Sequence, residues 1–466
     1  MELKNRHFTV VGLGVSGQAA ARHLLSRGAK VHCTDSRPEE ELGGAVETVT
    51  TAGATVETGG HDRVRCLAAD ALVLSPGVPT SSPLVQEANR LGVTVIGEVE
   101  LAGQATSRKI IGITGSNGKS TVTSLTGRLL KQAGLDTLVG GNLGTPLLDL
   151  IDGQGGPEPK EGWLVAELSS FQLETVRHFR PTVAVVLNVT PDHLDRHREM
   201  RVYSAAKERI LLNQGEGDAA VLNLDNQVTR AMAMGSLNEG VRRLFFTGGR
   251  GKPKAGVEGA YMLEDELTVR LAGEDLAMMK AGDIPLEGRH NLENCLAVAA
   301  VAGHLGINAQ TFTAAVTGFR ALPHRMEPAG TARGIRAVND SKATNVDSTL
   351  MALSGMAPGS VLLILGGQGK GGDFSQLRAE VASKTRSLFL IGEDAKLIAG
   401  AMDPAVPVEF CDDLDQAVRQ AVAAGREGDV LLLSPACASF DMFDNFEHRG
   451  DQFKEAVRRA AEGGGD

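Results

Sequence analysis

The sequence predicts an α/β protein of three domains built on largely parallel sheets. Three observations carry that reading. Short, near-continuous apolar runs ending in glycine or a turn recur along the chain: "HFTVVGLG", "ALVLSPG", "KIIGITG", "TVAVVLNV", "AAVLNLD", "SVLLILGG", "SLFLIG" and "DVLLLSP". Such runs suit strands buried on both faces. Between them lie amphipathic stretches such as "GQAAARHLLSRG" and "STVTSLTGRLLKQAG", so strand and helix alternate as in sheets joined by helical crossovers. Finally, 466 residues exceed what one core ordinarily serves. Two junctions divide them: "GEVELAGQATSRK" leads from one α/β unit into the next, and "GFRALPHRMEP" precedes a fresh series of strands. The predicted domains are 1–97, 98–321 and 322–466.

A net charge of −10 argues against a general binder of nucleic acid or anionic membrane, while leaving room for a local basic pocket that takes a small anion. Five cysteines (Cys33, Cys66, Cys295, Cys411, Cys437) are scattered, with no C-x-x-C pair. That pattern fits free thiols in a reducing compartment, not a disulfide framework or a zinc site. The chain enters a strand directly, with no basic segment followed by a long apolar run, and stretches such as "VLLIL" are far short of a bilayer span. A cytoplasmic monomer with small-molecule partners is expected.

The first glycine loop is "GLGVSG", with Gly12, Gly14 and Gly17 after a strand and before a helix, and Asp35 following in "CTDSR". This matches a dinucleotide fingerprint on a Rossmann-like fold: tight turn, close phosphate approach, and an acid placed for a ribose. Three readings stay open at this point. The loop serves a hydride-transfer cofactor, or it merely packs helix on strand, or it holds another nucleotide such as a UDP-sugar. Gly77 in "SPGVP" adds a second loop at the same sheet edge.

The second loop, "GITGSNGKST", has Ile113 where the longer G-x-x-x-x-G-K-[ST] pattern needs glycine. Gly115 and Gly118 leave the shorter form G-x-x-G-K-[ST]. Its amides and the following helix N-terminus can cradle phosphate. Lys119 can neutralise the β- and γ-phosphates, and Ser120 or Thr121 can offer a hydroxyl to Mg²⁺. The bland alternative is a glycine-rich turn with a surface lysine. The strand "KIIGIT" before it and the helix after it favour nucleotide.

Glu167 in "AELSSFQLE" and Asp192-His193 in "NVTPDHLDRH" follow two further apolar runs. They fall at strand ends, where α/β sheets place ligands, and such a set can hold Mg²⁺. Asp192-His193 taken alone also fits a capped helix start. Lys207 in "YSAAKERI" reads, by pattern alone, as a solvated helix lysine.

The motifs "TGSNGKST", "ELSSFQLE", "NVTPDHLDRH", "GRHNLENCLAVAA", "LPHRMEP", "NDSKATN" and "SPACASFDMFDNFEHRG" occur in this order. In that order the chain resembles the Mur ligases of peptidoglycan synthesis, across all three domains. The pair "DSKATN" and "SPACASFDMFDNFEHRG" resembles the members that add D-glutamate, whereas the diamino-acid enzymes carry a different "D-Y-A-H" type segment. An oxidoreductase would leave the second loop, Glu167 and His193 without a task. A purely binding protein would leave Lys119 redundant as well.

The resemblance implies an N-terminal Rossmann-like domain that binds the UDP part of UDP-N-acetylmuramoyl-L-alanine through Val15, Ser16, Asp35, Ser36, Arg37 and Gly77, with Asn142 also on this substrate. The family commonly has Leu-Thr at Val15-Ser16, and the hydroxyl is kept. It implies a central phosphate-loop ATPase-like domain that binds ATP through Gly115, Ser116, Asn117, Gly118, Lys119, Ser120 and Thr121. Asn291 and Asn294 would touch the nucleotide, with His290 nearby, although polar capping of a helix start also fits that trio. Two Mg²⁺ ions are implied, with Ser120, Glu167, His193 and a carbamylated Lys207 as ligands.

The C-terminal domain is implied to be Rossmann-like, with Arg325 and Asp340 closing over ATP. Its Thr344, Lys370, Ser439, Phe440 and Phe446 are implied to hold D-glutamate. Lys119, His193, Lys207 and Lys342 are the implied catalytic residues. The implied reaction is amide formation between the L-alanine carboxylate and the D-glutamate amine, through an acyl phosphate.

Overall fold

The computed structural model describes residues 2–462 except 143, 155–160, 236, 252–253, 255, 287, 321 and 405. Residue 321, the predicted end of the central domain, therefore lies outside the described residues. The chain forms two compact units: Met1–Val189 with Arg201–Phe319, and Thr190–Met200 with Arg320–Asp466.

The first unit holds two sheets. The N-terminal one has five parallel strands in the order Thr55–Glu57, Lys30–Thr34, His7–Val11, Ala71–Leu74, Thr94–Gly97. The strand order reverses between His7–Val11 and Ala71–Leu74, and in such sheets the crevice beyond the strand ends at that reversal takes the ligand. Gly17 lets the first helix pack on this strand: a Cβ there would lie 1.9 Å from the Gly12 carbonyl oxygen.

The second sheet has nine strands in the order Glu274–Lys280, Glu266–Leu271, Gly259–Leu263, Arg242–Arg250, Ala219–Asn223, Val183–Val186, Lys109–Thr114, Trp163–Glu167, Thr137–Gly141. It is parallel from Thr137–Gly141 through Gly259–Leu263 and ends in two antiparallel hairpins. Helix Arg289–His304 is buried along Cys295–Ala302 because that stretch is apolar on every side. It packs on helix Lys119–Gln132 and on the strands beneath.

Buried acids join the two sheets. Glu98, opening helix Glu98–Ala105, accepts the Leu148 amide at 2.8 Å. Two residues along, Glu100 accepts the amides of Arg177, His178 and Phe179.

The second unit carries six strands in the order Glu327–Ala332, Ile335–Asn339, Val430–Leu433, Val361–Gly366, Thr385–Ile391, Val408–Phe410. Only the first pair is antiparallel. Alternate residues of the all-apolar strand Val361–Gly366 enter different cores, Leu363 and Leu365 on one face and Leu362 and Ile364 on the other. Period-two alternation dictates this for a doubly covered sheet. The five cysteines are all buried and unpaired. No helix among the described residues is long and apolar enough to cross a membrane.

Candidate active site

At the strand-order reversal of the N-terminal sheet lies a crevice of about 670 Å³, lined by Gly12, Gly14, Asp35, Ser36, Arg37, Gly77, His61 and Arg63 among others. Asp35 shapes it. One carboxylate oxygen accepts the Arg37 amide (3.0 Å) and Nε (3.1 Å), and the other accepts the Leu13 amide (2.8 Å) and Arg37 Nη2 (2.9 Å). Four donors fill a carboxylate's four acceptor positions, so Asp35 ties the glycine loop to the 36–37 turn and has none left for a ribose hydroxyl. Burial opposes its ionisation, but Arg37 and these amides win and hold it down to about 2. Val15 and Ser16 open helix Val15–Ser26 beside Gly14 and are not among the lining residues. Asn142 is placed on the central sheet instead.

In that sheet the loop after Lys109–Thr114 caps helix Lys119–Gln132. Gly118 sits at φ 85°, and a Cβ there would meet Asn294 Oδ1 at 2.4 Å. Only glycine allows this left-handed turn with Asn294 so close. Lys119 Nζ donates back to the carbonyls of Gly115 (2.9 Å) and Ser116 (2.8 Å). Ser120 and Thr121 are buried, and the Thr121 hydroxyl makes no hydrogen bond among the described residues. Asn117 is clamped by Asn188, whose side chain accepts its amide at 2.8 Å and donates to its carbonyl at 3.1 Å.

Glu167 ends its strand fully buried; Oε1 accepts from Asn142 Nδ2 at 2.8 Å, while Oε2 has no hydrogen-bond partner among the described residues. A buried carboxylate oxygen left bare is costly, and a cation that accepts oxygen ligands removes that cost. The expectation of a solvated Lys207 is wrong. Its side chain is 1% exposed and donates to the Gly115 carbonyl at 2.7 Å. It lies 4.7 Å from the centroid of Tyr203, whose hydroxyl is 3.0 Å from Ser116 Oγ. It follows the buried Tyr203 by four residues and so shares that inward helix face; the charge of a lysine, rarely buried, is what pointed outward. Asn291 and Asn294 share a hydrogen bond at 3.3 Å. They lie, with His290, in the first two turns of helix Arg289–His304, whose N-cap is Gly288.

Asp192 and His193 pack within the second unit. Asp192 accepts Asn345 Nδ2 at 3.0 Å and lies 3.6 Å from Lys370 Nζ, which donates to Thr344 Oγ1 at 3.0 Å. His193 takes φ 54° before the short helix Leu194–His197, without capping it through its side chain.

In the same unit Asp340 accepts Ser434 Oγ (3.0 Å) and the Met326 amide (3.2 Å). Burial pushes its carboxyl up to about 7 against the pull of Arg325. Lys342 Nζ stands 4.4 Å from the Phe446 ring centroid. Ser439 is buried and Phe440 exposed.

Comparison with known proteins reads this geometry. Three family domains match in order: "Mur ligase MurD-like, N-terminal domain" over residues 6–97, "Mur ligase middle domain" over 113–302, and "Mur ligase, glutamate ligase domain" over 324–437. A protein named UDP-N-acetylmuramoylalanine--D-glutamate ligase from Acidobacterium capsulatum is 43% identical, covering 98% of this chain and 97% of its own. One of the same name from Anaeromyxobacter dehalogenans is 43% identical over 99% of both. The chain belongs to the Mur ligase family.

Solved structures agree on the fold. A pseudomurein peptide ligase type C from Methanothermus fervidus superposes with a TM-score of 0.60 at 18% identity, covering 98% of this chain and 100% of that one. The MurF ligase of Thermotoga maritima in complex with ADP gives 0.60 at 17% identity, covering 99% of each.

For a Mur ligase the sequence reading left out four residues that the structure brings to these places. His61 follows the Gly59-Gly60 pair and Arg63 opens helix Arg63–Leu67, and both line the crevice. Asn188 clamps the phosphate loop, and Arg449 anchors two loops of the second unit. The last two lie inside quoted motifs. An asparagine directly after an apolar run and an arginine in an otherwise amphipathic helix start were the available signals.

Proposed function

We propose that this Mur ligase joins D-glutamate to UDP-N-acetylmuramoyl-L-alanine, coupled to cleavage of ATP to ADP and phosphate. The carrying observation is its near end-to-end match to relatives named for that reaction. The bare, buried Oε2 of Glu167 in the same unit as the phosphate loop supports the ATP end.

The crevice with Arg37, Arg63 and His61 takes the UDP moiety, where cationic and imidazole groups meet the diphosphate. Residues Gly115–Thr121 wrap the ATP phosphates: loop amides and the helix N-terminus hold oxygen atoms, and Lys119 turns from the loop carbonyls to the γ-phosphate. Asn291 and Asn294 meet the nucleotide. Glu167, Ser120, His193 and Lys207 as its carbamate would hold Mg²⁺, taken here as two ions. When bound, the metal supplies positive charge at the transferring phosphoryl group.

The L-alanine carboxylate then attacks the γ-phosphorus, releasing ADP and leaving an acyl phosphate. The D-glutamate amine attacks the acyl carbon; the tetrahedral intermediate expels phosphate, and the nitrogen loses its proton. Lys342 offsets charge on the transferring group. Arg325 and Asp340 address ATP, the latter at its ribose. Lys370, Thr344 and Ser439 offer the cationic and hydroxyl anchors a dicarboxylate needs, with Phe440 and Phe446 beside them. None of these steps uses a thiol, in keeping with five buried cysteines. The enzyme acts as a monomer in the cytoplasm, where the reduced thiols persist.

A phosphate-release assay with UDP-N-acetylmuramoyl-L-alanine, ATP and Mg²⁺ tests the assignment, comparing D-glutamate, L-glutamate, L-alanine and a diamino acid. Release with D-glutamate alone is expected. Release only with another amino acid would overturn it.

A further inference from the structure

One side-chain group in the N-terminal sheet has metal-ligand chemistry that the ligase reaction does not use. His32 on Lys30–Thr34, Glu57 at the end of Thr55–Glu57 and Cys66 in helix Arg63–Leu67 each present a ligand atom. All three atoms lie within 4.8 Å of one another. No local motif announces them, since folding brings them from three elements.

The geometry suits a tetrahedral ion. His32 Nε2 and Glu57 Oε2 are 3.5 Å apart, and nitrogen and oxygen ligands sharing a tetrahedral Zn²⁺ at ordinary bond lengths lie about 3.4 Å apart. His32 and Cys66 are 8% and 0% exposed, and Nε2 makes no hydrogen bond among the described residues. The other ring nitrogen, Nδ1, lies 3.1 Å from Thr55 Oγ1, which also accepts Arg65 Nη2 at 2.8 Å. With its proton directed at that oxygen, Nδ1 leaves Nε2 bare, the arrangement found behind metal-bound imidazoles.

We propose that His32, Glu57 and Cys66 form a site for one Zn²⁺, with water in the fourth position. Nitrogen, sulfur and oxygen together select zinc over the Mg²⁺ that serves ATP. Burial, reinforced by Arg65, lowers the His32 pKa against the pull of Glu57. Burial pushes the Cys66 thiol up to about 11, so zinc uptake releases a proton.

The site lies beneath a functional loop. Both Glu57 oxygens accept the Asp62 amide (2.9 and 3.0 Å). His61 Nδ1 is 2.7 Å from Thr34 Oγ1, and His61 and Arg63 line the crevice. Zinc on Glu57 and Cys66 therefore braces both ends of the segment that brings these two side chains to the nucleotide substrate. Zinc binding stands apart from the ligase reading; only the naming of the crevice's ligand as the nucleotide substrate rests on it.

The test is a titration of chelator-treated, dialysed full chain with Co²⁺ in excess Mg²⁺. One equivalent is expected to raise a thiolate-to-cobalt charge-transfer band that Zn²⁺ abolishes. The band is expected to vanish in Cys66→Ser and to persist in Cys33→Ser, whose thiol is in the same sheet. His32→Asn is expected to weaken Co²⁺ binding at least about tenfold. Absence of the band in folded wild type, or a band of equal strength in Cys66→Ser, would overturn the site. Should Cys66→Ser fail to fold, His32→Asn decides, since unchanged Co²⁺ affinity in that variant refutes it.

Discussion

Arg449 grips Ser341 at two atoms: Nε donates to its hydroxyl at 2.9 Å and Nη2 to its carbonyl at 2.8 Å. The same guanidinium donates to the carbonyls of Cys437 (3.1 Å) and Ala438 (3.3 Å), and the side chain is fully buried. One planar fork thus fixes the loop that carries Lys342 and Thr344 against the loop that carries Ser439. A lysine keeps the charge but not the fork. Arg449→Lys is expected to lower kcat/KM for D-glutamate at least about tenfold through misplacement while KM for the UDP substrate holds. Arg449→Ala is expected to destabilise the second unit by about 3 kcal/mol, because it leaves buried carbonyls unpaired. Steady-state kinetics on both substrates check the first, and urea unfolding the second. Equal loss on both substrates would mark Arg449 as merely structural.

Lys207 is the residue where pattern and structure part most clearly. Its Nζ is held at the Gly115 carbonyl beneath the phosphate loop, where a carbamate would add oxygen ligands beside the ATP phosphates. Lys207→Ala is expected to cut turnover by about 10²–10³-fold, and added bicarbonate is expected not to restore it, since no amine remains to take up CO₂. Phosphate release measured with and without bicarbonate decides; near-normal turnover would sink the carbamate role.

Much of this architecture was legible because parallel strands are written in apolar runs that few other structures produce. All eight quoted runs are strands. The hairpins at the far edge of the central sheet were not legible. Their two-residue turns are Glu264-Asp265 and Ala272-Gly273, with φ 56° at Glu264 and φ 50° at Ala272, where Asn-Gly or Asp-Gly would have announced a hairpin. Asp192 illustrates a second limit. A residue at a strand end reads as part of that strand's sheet, yet Asn345 and Lys370, each more than a hundred residues away in sequence, claim its carboxylate. Such contacts arise from tertiary packing and leave no periodic trace.

Glu167 offers a prediction in which activity and stability move apart. With Oε1 bonded to Asn142 and Oε2 bare, the ligand-free protein carries an uncompensated buried oxygen. Glu167→Gln keeps the shape and removes the charge. The Mg²⁺ concentration giving half-maximal activity is expected to rise at least about tenfold. Meanwhile the metal-free protein is expected to gain about 1 kcal/mol. A Mg²⁺ titration of phosphate release and a melting curve in chelator check the pair, and an unchanged Mg²⁺ requirement would remove Glu167 from the ligand set.

Glu98 makes the joint between the two sheets of the first unit sensitive to pH. Burial drives its carboxyl up to about 7, against the amides of Leu148 and Leu147, whereas an unfolded glutamate titrates near 4.5. Between those values the folded state holds a proton that the unfolded state has released. Stability is therefore full below about pH 4.5, declines as pH rises to about 7, and carries a constant penalty beyond, on the order of 3 kcal/mol. Glu98→Gln retains an oxygen for the Leu148 amide and abolishes the titration. The buried amide nitrogen it introduces shifts stability by the same amount at every pH, so the slope is the diagnostic. Chemical unfolding at pH 5 and pH 8 is expected to show the variant gaining on wild type by that margin across the interval. Parallel pH profiles would mean that the Glu98 carboxylate is ionised at its usual value and that another group governs the joint.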